Sequence, residues 1–225
     1  MKPRGIVIAI DGVVGAGKTA TARLVAQRLG YRHLDTGAMY RAVTLAATRR
    51  GIAASDLSAL EELLPLLTID LQPGDQGGRV LLDSEDVSKE IRHPEITRKV
   101  GSYADLPLVR RALVAQQQRL GQEGGIVAEG RDIGAVVFPD AELKIAMVAD
   151  LDERVSRRHR ELTDKGVNIT AEQVRSDIET RDRDDAERDY GIANAVTEVI
   201  EVDTTGMTLE GQVDHIVALA HTNGA

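Results

Sequence analysis

The nine residues DGVVGAGKT at positions 11–19 follow directly on the apolar run IVIAI at 6–10. A short Val/Ile run, a glycine-rich turn and then Ala22, Val25, Ala26 and Leu29 on one helical face read as strand, tight loop and helix. Within that context Gly12-x-x-x-x-Gly17-Lys18-Thr19 is the Walker A pattern. Backbone N–H groups gathered at a helix N-terminus cradle phosphates, the lysine reaches the terminal ones and the threonine hydroxyl meets Mg²⁺. The loop residues Gly12, Gly15, Ala16, Gly17, Lys18 and Thr19 are therefore candidates for holding a nucleoside triphosphate with its magnesium.

Further short apolar runs at 126–128, 143–149 and 199–202, with a weaker strand at 31–34, alternate with helical patterns near 17–29, 36–50, 95–121, 151–163, 171–189 and 208–221. Nearly continuous apolar strands separated by helices are buried on both faces, which predicts a parallel α/β sheet. Two segments break the alternation. Residues 67–86 read as an antiparallel hairpin turning at PGDQGG, an inserted lobe. Residues 150–190 are densely charged and lack proline, which fits either a solvated helical hairpin or a cover over phosphate.

Composition narrows the partners. Among the 225 residues there are four tyrosines, one phenylalanine and no tryptophan, and the net charge is −8. Platforms for stacking bases are scarce and polyanion binding is disfavoured, so small-molecule partners are expected and nucleic acid is not. Cysteine is absent. The run after the basic start MKPR stops at Asp11, short of a signal-peptide core, and no stretch approaches the ~20 apolar residues of a membrane span. A soluble, cytoplasmic protein is expected.

A triphosphate site alone does not fix the reaction. No Asn-Lys-x-Asp guanine-reading motif occurs, and IAMVAD, ending at Asp150, only partly matches the acidic strand of a motor or transporter ATPase. Arginines, by contrast, recur at informative spacings. Arg154, Arg157 and Arg158 share one helical face, Arg181, Asp185 and Arg188 share another, and Arg131 with Asp132 follows a buried strand at the sheet edge where open α/β folds bind ligands. Each set also fits surface ion pairs or a strand-end turn. In HLDTGAMYR, Asp35 ends a strand and could serve only as a cap, Thr36 is expected as helix N-cap, and Tyr40 and Arg41 lie one turn in. Phosphoryl transfer is catalysed mainly by positioning and cations, so these arginines point to transfer between two phosphate-bearing molecules.

At IDGVVGAGKT (10–19), LDTGAMYRAV (34–43), EDVSKEIRHPEI (85–96), LPLVRRAL (106–113), EGRDIGAVVFPDA (129–141), ERVSRRHREL (153–162) and RDRDDAERD (181–189) the chain resembles the bacterial-type cytidylate kinases. The resemblance implies a P-loop NTPase fold of adenylate-kinase type around a five-stranded parallel sheet. Its core would comprise 1–35, 105–150 and 190–225, with a monophosphate lobe at 36–104 and a lid at 151–189. It further implies a monomer that transfers phosphoryl from ATP to CMP or dCMP with Mg²⁺. Lys18 and the loop would hold ATP, Thr19 the Mg²⁺, and Arg154, Arg157 and Arg158 would supply the lid's cations. Arg41, Arg131 and Arg188 would grip the CMP phosphate; Arg181 and Asp185 would meet the ribose. Arg110 and Asp132 would read the base, since the cytosine amine donates to carboxylate and its oxygen accepts from arginine. The family commonly has serine six residues before the proline of its PxVR stretch, where this chain has Gly101. Either Ser102 substitutes or Asp132 reads the amine with less help. Glu129 stands where many members have aspartate.

Overall fold

The computed structural model describes residues 2–72, 74, 78–164, 166–187 and 198–225. Five parallel strands, β1 (Val7–Gly12), β2 (Arg32–Asp35), β6 (Ile126–Glu129), β7 (Leu143–Val148) and β8 (Val199–Asp203), form one sheet in the order β2-β6-β1-β7-β8. The expected parallel sheet is present, with β1 at its centre. On one face Ile6, Ile8 and Ile10 pack with Val25 and Ala26 of helix α1 (Lys18–Leu29) and with Val213 and Ile216 of the C-terminal helix Leu209–Thr222. On the other, Val7 and Ala9 meet Met39 and Ala42 of α2 (Thr36–Arg49) in a second cluster. A strand covered on both sides has no polar face, which explains why 6–10 reads as an unbroken apolar run. Each such Val, Ile or Met side chain contributes about 1.5–3 kcal/mol of burial.

A short helix, α3 (Leu57–Leu63), which the periodicity did not reveal, precedes the hairpin segment. The antiparallel sheet of that segment has three strands, β3 (Ile69–Gln72), β4 (Arg79–Leu82) and β5 (Glu85–Asp86); most of the PGDQGG turn lies outside the described residues. The long helix expected over 95–121 is two helices, α4 (Pro94–Ala104) and α5 (Pro107–Gly121). Pro107 has no N–H to continue α4 and forces Leu106 into extended backbone (φ −74, ψ 123), so the chain restarts there.

The charged segment forms α6 (Leu151–Asp164) and α7 (Ala171–Glu187), joined through the small apolar cluster of Val155, Val174 and Ile178. The C-terminal helix, α8, closes the α1 side of the sheet, where Arg28 forms ion pairs with Glu210 and Asp214.

Candidate active site

The glycine-rich loop leaves the carboxyl end of β1, and α1 opens at Lys18, so the helix's first N–H groups point into the loop. Gly12 has φ +149, and a Cβ there would stand 2.1 Å from the Met147 carbonyl oxygen of the neighbouring strand. Gly15 has φ +81, and a Cβ would meet that of Arg154 at 3.0 Å. Only glycine lets the loop lie this close to β7 and α6. Lys18 Nζ donates to the carbonyls of Gly12 (2.7 Å) and Val13 (2.8 Å), curled over its own loop. Burial, then the nearby Arg131 guanidinium, lowers its pKa to about 7. Glu129, Asp11 and Asp185 lie within electrostatic reach and partly offset this.

The acidic partner of the loop comes from β6. Thr19 Oγ1 donates to Glu129 Oε2 at 2.9 Å, and Glu129, which is 4% exposed, also meets His33 Nε2 at 3.3 Å. Asp150, the partial match, is exposed just before α6, and its N–H donates to Thr205 Oγ1. Glu129 ends the strand IVAE, all four residues of which are buried. Among the described residues no cluster of three or more His, Cys, Asp or Glu forms a cage for a metal. A hydroxyl beside one carboxylate at a phosphate loop nevertheless suits Mg²⁺, which takes hard oxygen donors and completes its shell with phosphate and water.

The arginines converge from four elements. Arg154 is buried against the loop, donating to the carbonyls of Ala149 (3.1 Å) and Val14 (3.2 Å) and to Asp182 (2.7 Å). Arg157 reaches the carbonyls of Ala16 (3.5 Å) and Thr204 (2.6 Å), while Thr204 Oγ1 donates to the Ala16 carbonyl at 3.1 Å. The local pairs anticipated for this helix also form, Arg157–Glu153 and Arg158–Glu161. Arg131 pairs with Asp185 of α7 at 2.6 Å. Arg41 on α2 donates to Thr97 of α4 at 2.8 Å.

Electrostatics tie these residues into one group. The pKa of Arg41 is lowered by burial and then by Arg181, with Arg92 and Arg158 also contributing. That of Arg181 is lowered by burial, then by Arg158, with Arg131 adding to it. Mutually repelling guanidiniums held half-buried make a ready anion site. Arg92, exposed beside this group, was not singled out from sequence. Arg188 lies outside the described residues.

Where β6 ends, Asp132 forms an ion pair with Arg110 of α5, and Asp132 is 6% exposed. Both partners come from distant elements, unlike a local strand-end turn. Thr36 is not the helix cap: Asp35 is, accepting from the Ala38 N–H at 2.8 Å, whereas the Thr36 hydroxyl donates to the Glu129 carbonyl at 2.7 Å. The aspartate can cap because its extended backbone turns the carboxylate onto the first turn. Burial, then Glu129, raises the Asp35 carboxyl. Tyr40 packs half-buried against the core. On α4, Gly101 shares the face of Thr97 four residues earlier, while the exposed Ser102 is turned about 100° from it.

Comparison with known proteins gives a consistent picture. The chain is 48% identical over 219 residues to a cytidylate kinase of Pelodictyon phaeoclathratiforme, covering 96% of this chain and 94% of that protein. It is 42% identical over 210 residues to a cytidylate kinase of a Geobacter species, covering 93% and 90%. An uncharacterized protein of Eubacterium ventriosum, 12% identical with a TM-score of 0.50 over 96% of this chain and 98% of that one, shares the fold alone. The family model for cytidylate kinase matches residues 8–222, and the chain belongs to that family.

Proposed function

We propose that the chain catalyses reversible transfer of the γ-phosphoryl group of ATP to CMP or dCMP, giving ADP and CDP or dCDP. The observation that carries this reading is the length of chain between two tasks. Glu129, in contact with the phosphate-loop threonine, and Asp132, paired with Arg110, are three residues apart at the end of β6. A triphosphate on the loop and a base at Asp132 would thus sit with the arginine group between them.

In this reading an oxygen of the CMP phosphate attacks the γ-phosphorus. The bond to the β,γ-bridging oxygen breaks, and its electron pair leaves with ADP. Lys18 and the loop N–H groups hold the ATP phosphates; Arg131, Arg154, Arg157 and Arg158 meet charge on the group in transit. Arg41 and Arg188 hold the acceptor phosphate, and Arg181 with Asp185 the ribose. Thr19 and Glu129 would hold Mg²⁺, which when bound neutralises phosphate charge.

Asp132 accepts from the cytosine amine and Arg110 donates to the base carbonyl oxygen, whereas uracil would set an oxygen against the carboxylate. Ser102 stands off the Thr97 face, so Asp132 carries most of this discrimination. Asp35, Thr36 and Tyr40 line the acceptor side. The division into core, monophosphate lobe (36–104) and lid (151–189) belongs to the same reading, with lid closure excluding water. So do a monomeric state and a cytoplasmic location, supported by the net charge of −8 and the lack of cysteine; no described helix is long and apolar enough to cross a membrane.

The test is ADP formation from Mg-ATP with CMP, dCMP, UMP or AMP and without acceptor. Fast turnover confined to CMP and dCMP is expected. Equal ADP formation without acceptor would identify a hydrolase instead.

A further inference from the structure

Asp11 is the residue immediately before the phosphate loop, and the transfer chemistry makes no use of it. Alternation along β1 puts its side chain on the face of Val7 and Ala9. There its two carboxylate oxygens accept separate backbone N–H groups, from Ile133 and from Gly134, each at 2.8 Å. These are the two N–H groups that follow Asp132 and open the π-helical turn Ile133–Val137. The Asp132 carbonyl accepts within that turn from Val136 (2.9 Å) and Val137 (3.3 Å).

The first N–H groups of a helical turn have no partner inside it, and an aspartate at the position before them ordinarily folds back to cap them. Asp132 occupies that position with φ −139 and ψ 29, yet its side chain makes no cap; it turns outward to Arg110. Asp11 supplies the missing acceptors from another strand. Doing so keeps a carboxylate buried within electrostatic reach of Asp132, and burial raises its pKa, so the arrangement has a cost.

We infer that Asp11 is a positioning residue for base selectivity: by capping the turn in place of Asp132, it leaves the Asp132 carboxylate to pair with Arg110 and face the acceptor base. Because Gly12 is the next residue, the same strand end anchors both the triphosphate loop and the base-reading turn. Without Asp11, the Ile133 and Gly134 N–H groups compete for the Asp132 carboxylate.

The inference rests on the cytidylate-kinase reading, and the two fail differently. A wild type that forms no CDP from CMP refutes that reading before any variant is made. Asp11→Asn keeps the shape but replaces one accepting oxygen by an amide NH₂, which cannot accept. Its ratio of kcat/KM for CMP over UMP is expected to fall about tenfold, mainly through KM for CMP, with KM for ATP within about twofold. In an Asp132→Ala background the same substitution should change the ratio no further. Asp11→Ser, smaller and with one acceptor, is expected to show the same loss and is the variant to measure should the amide not fold. A purely structural role predicts equal loss on CMP and UMP; that result, or an ATP defect larger than the CMP defect, would overturn the assignment.

Discussion

At the triphosphate end, positioning is done by backbone: glycines at φ +149 and +81, the opening N–H groups of α1, and a sheet packed on both faces by aliphatic side chains. At the proposed acceptor end the same task falls to guanidiniums drawn from α2, α6, α7 and the segment after β6, with α6 and α7 packed together through Val155, Val174 and Ile178. Backbone dipoles stay where the fold puts them. Side-chain cations must be held by carboxylates until phosphate replaces those partners, as Asp185 holds Arg131 and Asp182 holds Arg154. The difference suits a site in which one substrate meets a finished cradle and the other completes its own.

Substitutions can break either side of that contrast. The largest effect is expected from Gly12→Ala, since the added Cβ meets a strand carbonyl at 2.1 Å. Activity should vanish and stability should drop by about 3 kcal/mol, measured by denaturant unfolding. Arg131→Ala is expected to act mainly on transfer: kcat should fall by about 10³ or more while the melting temperature and KM for ATP hold nearly steady. A matching collapse in ATP affinity would erase the distinction between the two ends.

Lys18→Met should lower turnover by about 10² to 10³ with the fold intact. It also carries a pH signature, because burial puts Lys18 at about 7 against an ordinary 10.5. Between those values the unfolded chain binds a proton that the folded chain has released, so stability rises with pH across the window. The methionine variant lacks this dependence. Its stability advantage over wild type should be greatest below about pH 7 and shrink toward pH 10.5 in unfolding titrations.

Asp132→Ala is expected to reduce kcat/KM for CMP about tenfold more than for UMP. Equal losses would remove Asp132 from base reading. Smallest of all should be Arg28→Ala, which breaks exposed ion pairs to α8 far from both ends; melting temperature and kinetics should match wild type within error.

Much of this was legible in the chain. The strands could be read because burial on both faces writes itself as apolar runs, and the loop because its glycines and lysine are consecutive. What escaped depends on pairings between distant segments. Glu129 is an acid among many until β6 is placed beside β1, in register with Ile10. Thr36 and Asp35 were both readable as the cap, and the extended backbone at Asp35 decides between them. The break in 95–121 was readable from Pro107, and the helical periodicity running through it hid the stop. The capping of the 133–137 turn by Asp11 has no local signature, since donor and acceptor are more than a hundred residues apart.

The most direct measurement of the central claim is product stoichiometry: Mg-ATP and CMP incubated with the protein, with CDP, ADP and inorganic phosphate quantified by phosphorus NMR. Transfer within a closed arginine site requires equal CDP and ADP with no phosphate released. ADP accompanied by an equal amount of inorganic phosphate, without CDP, would contradict it.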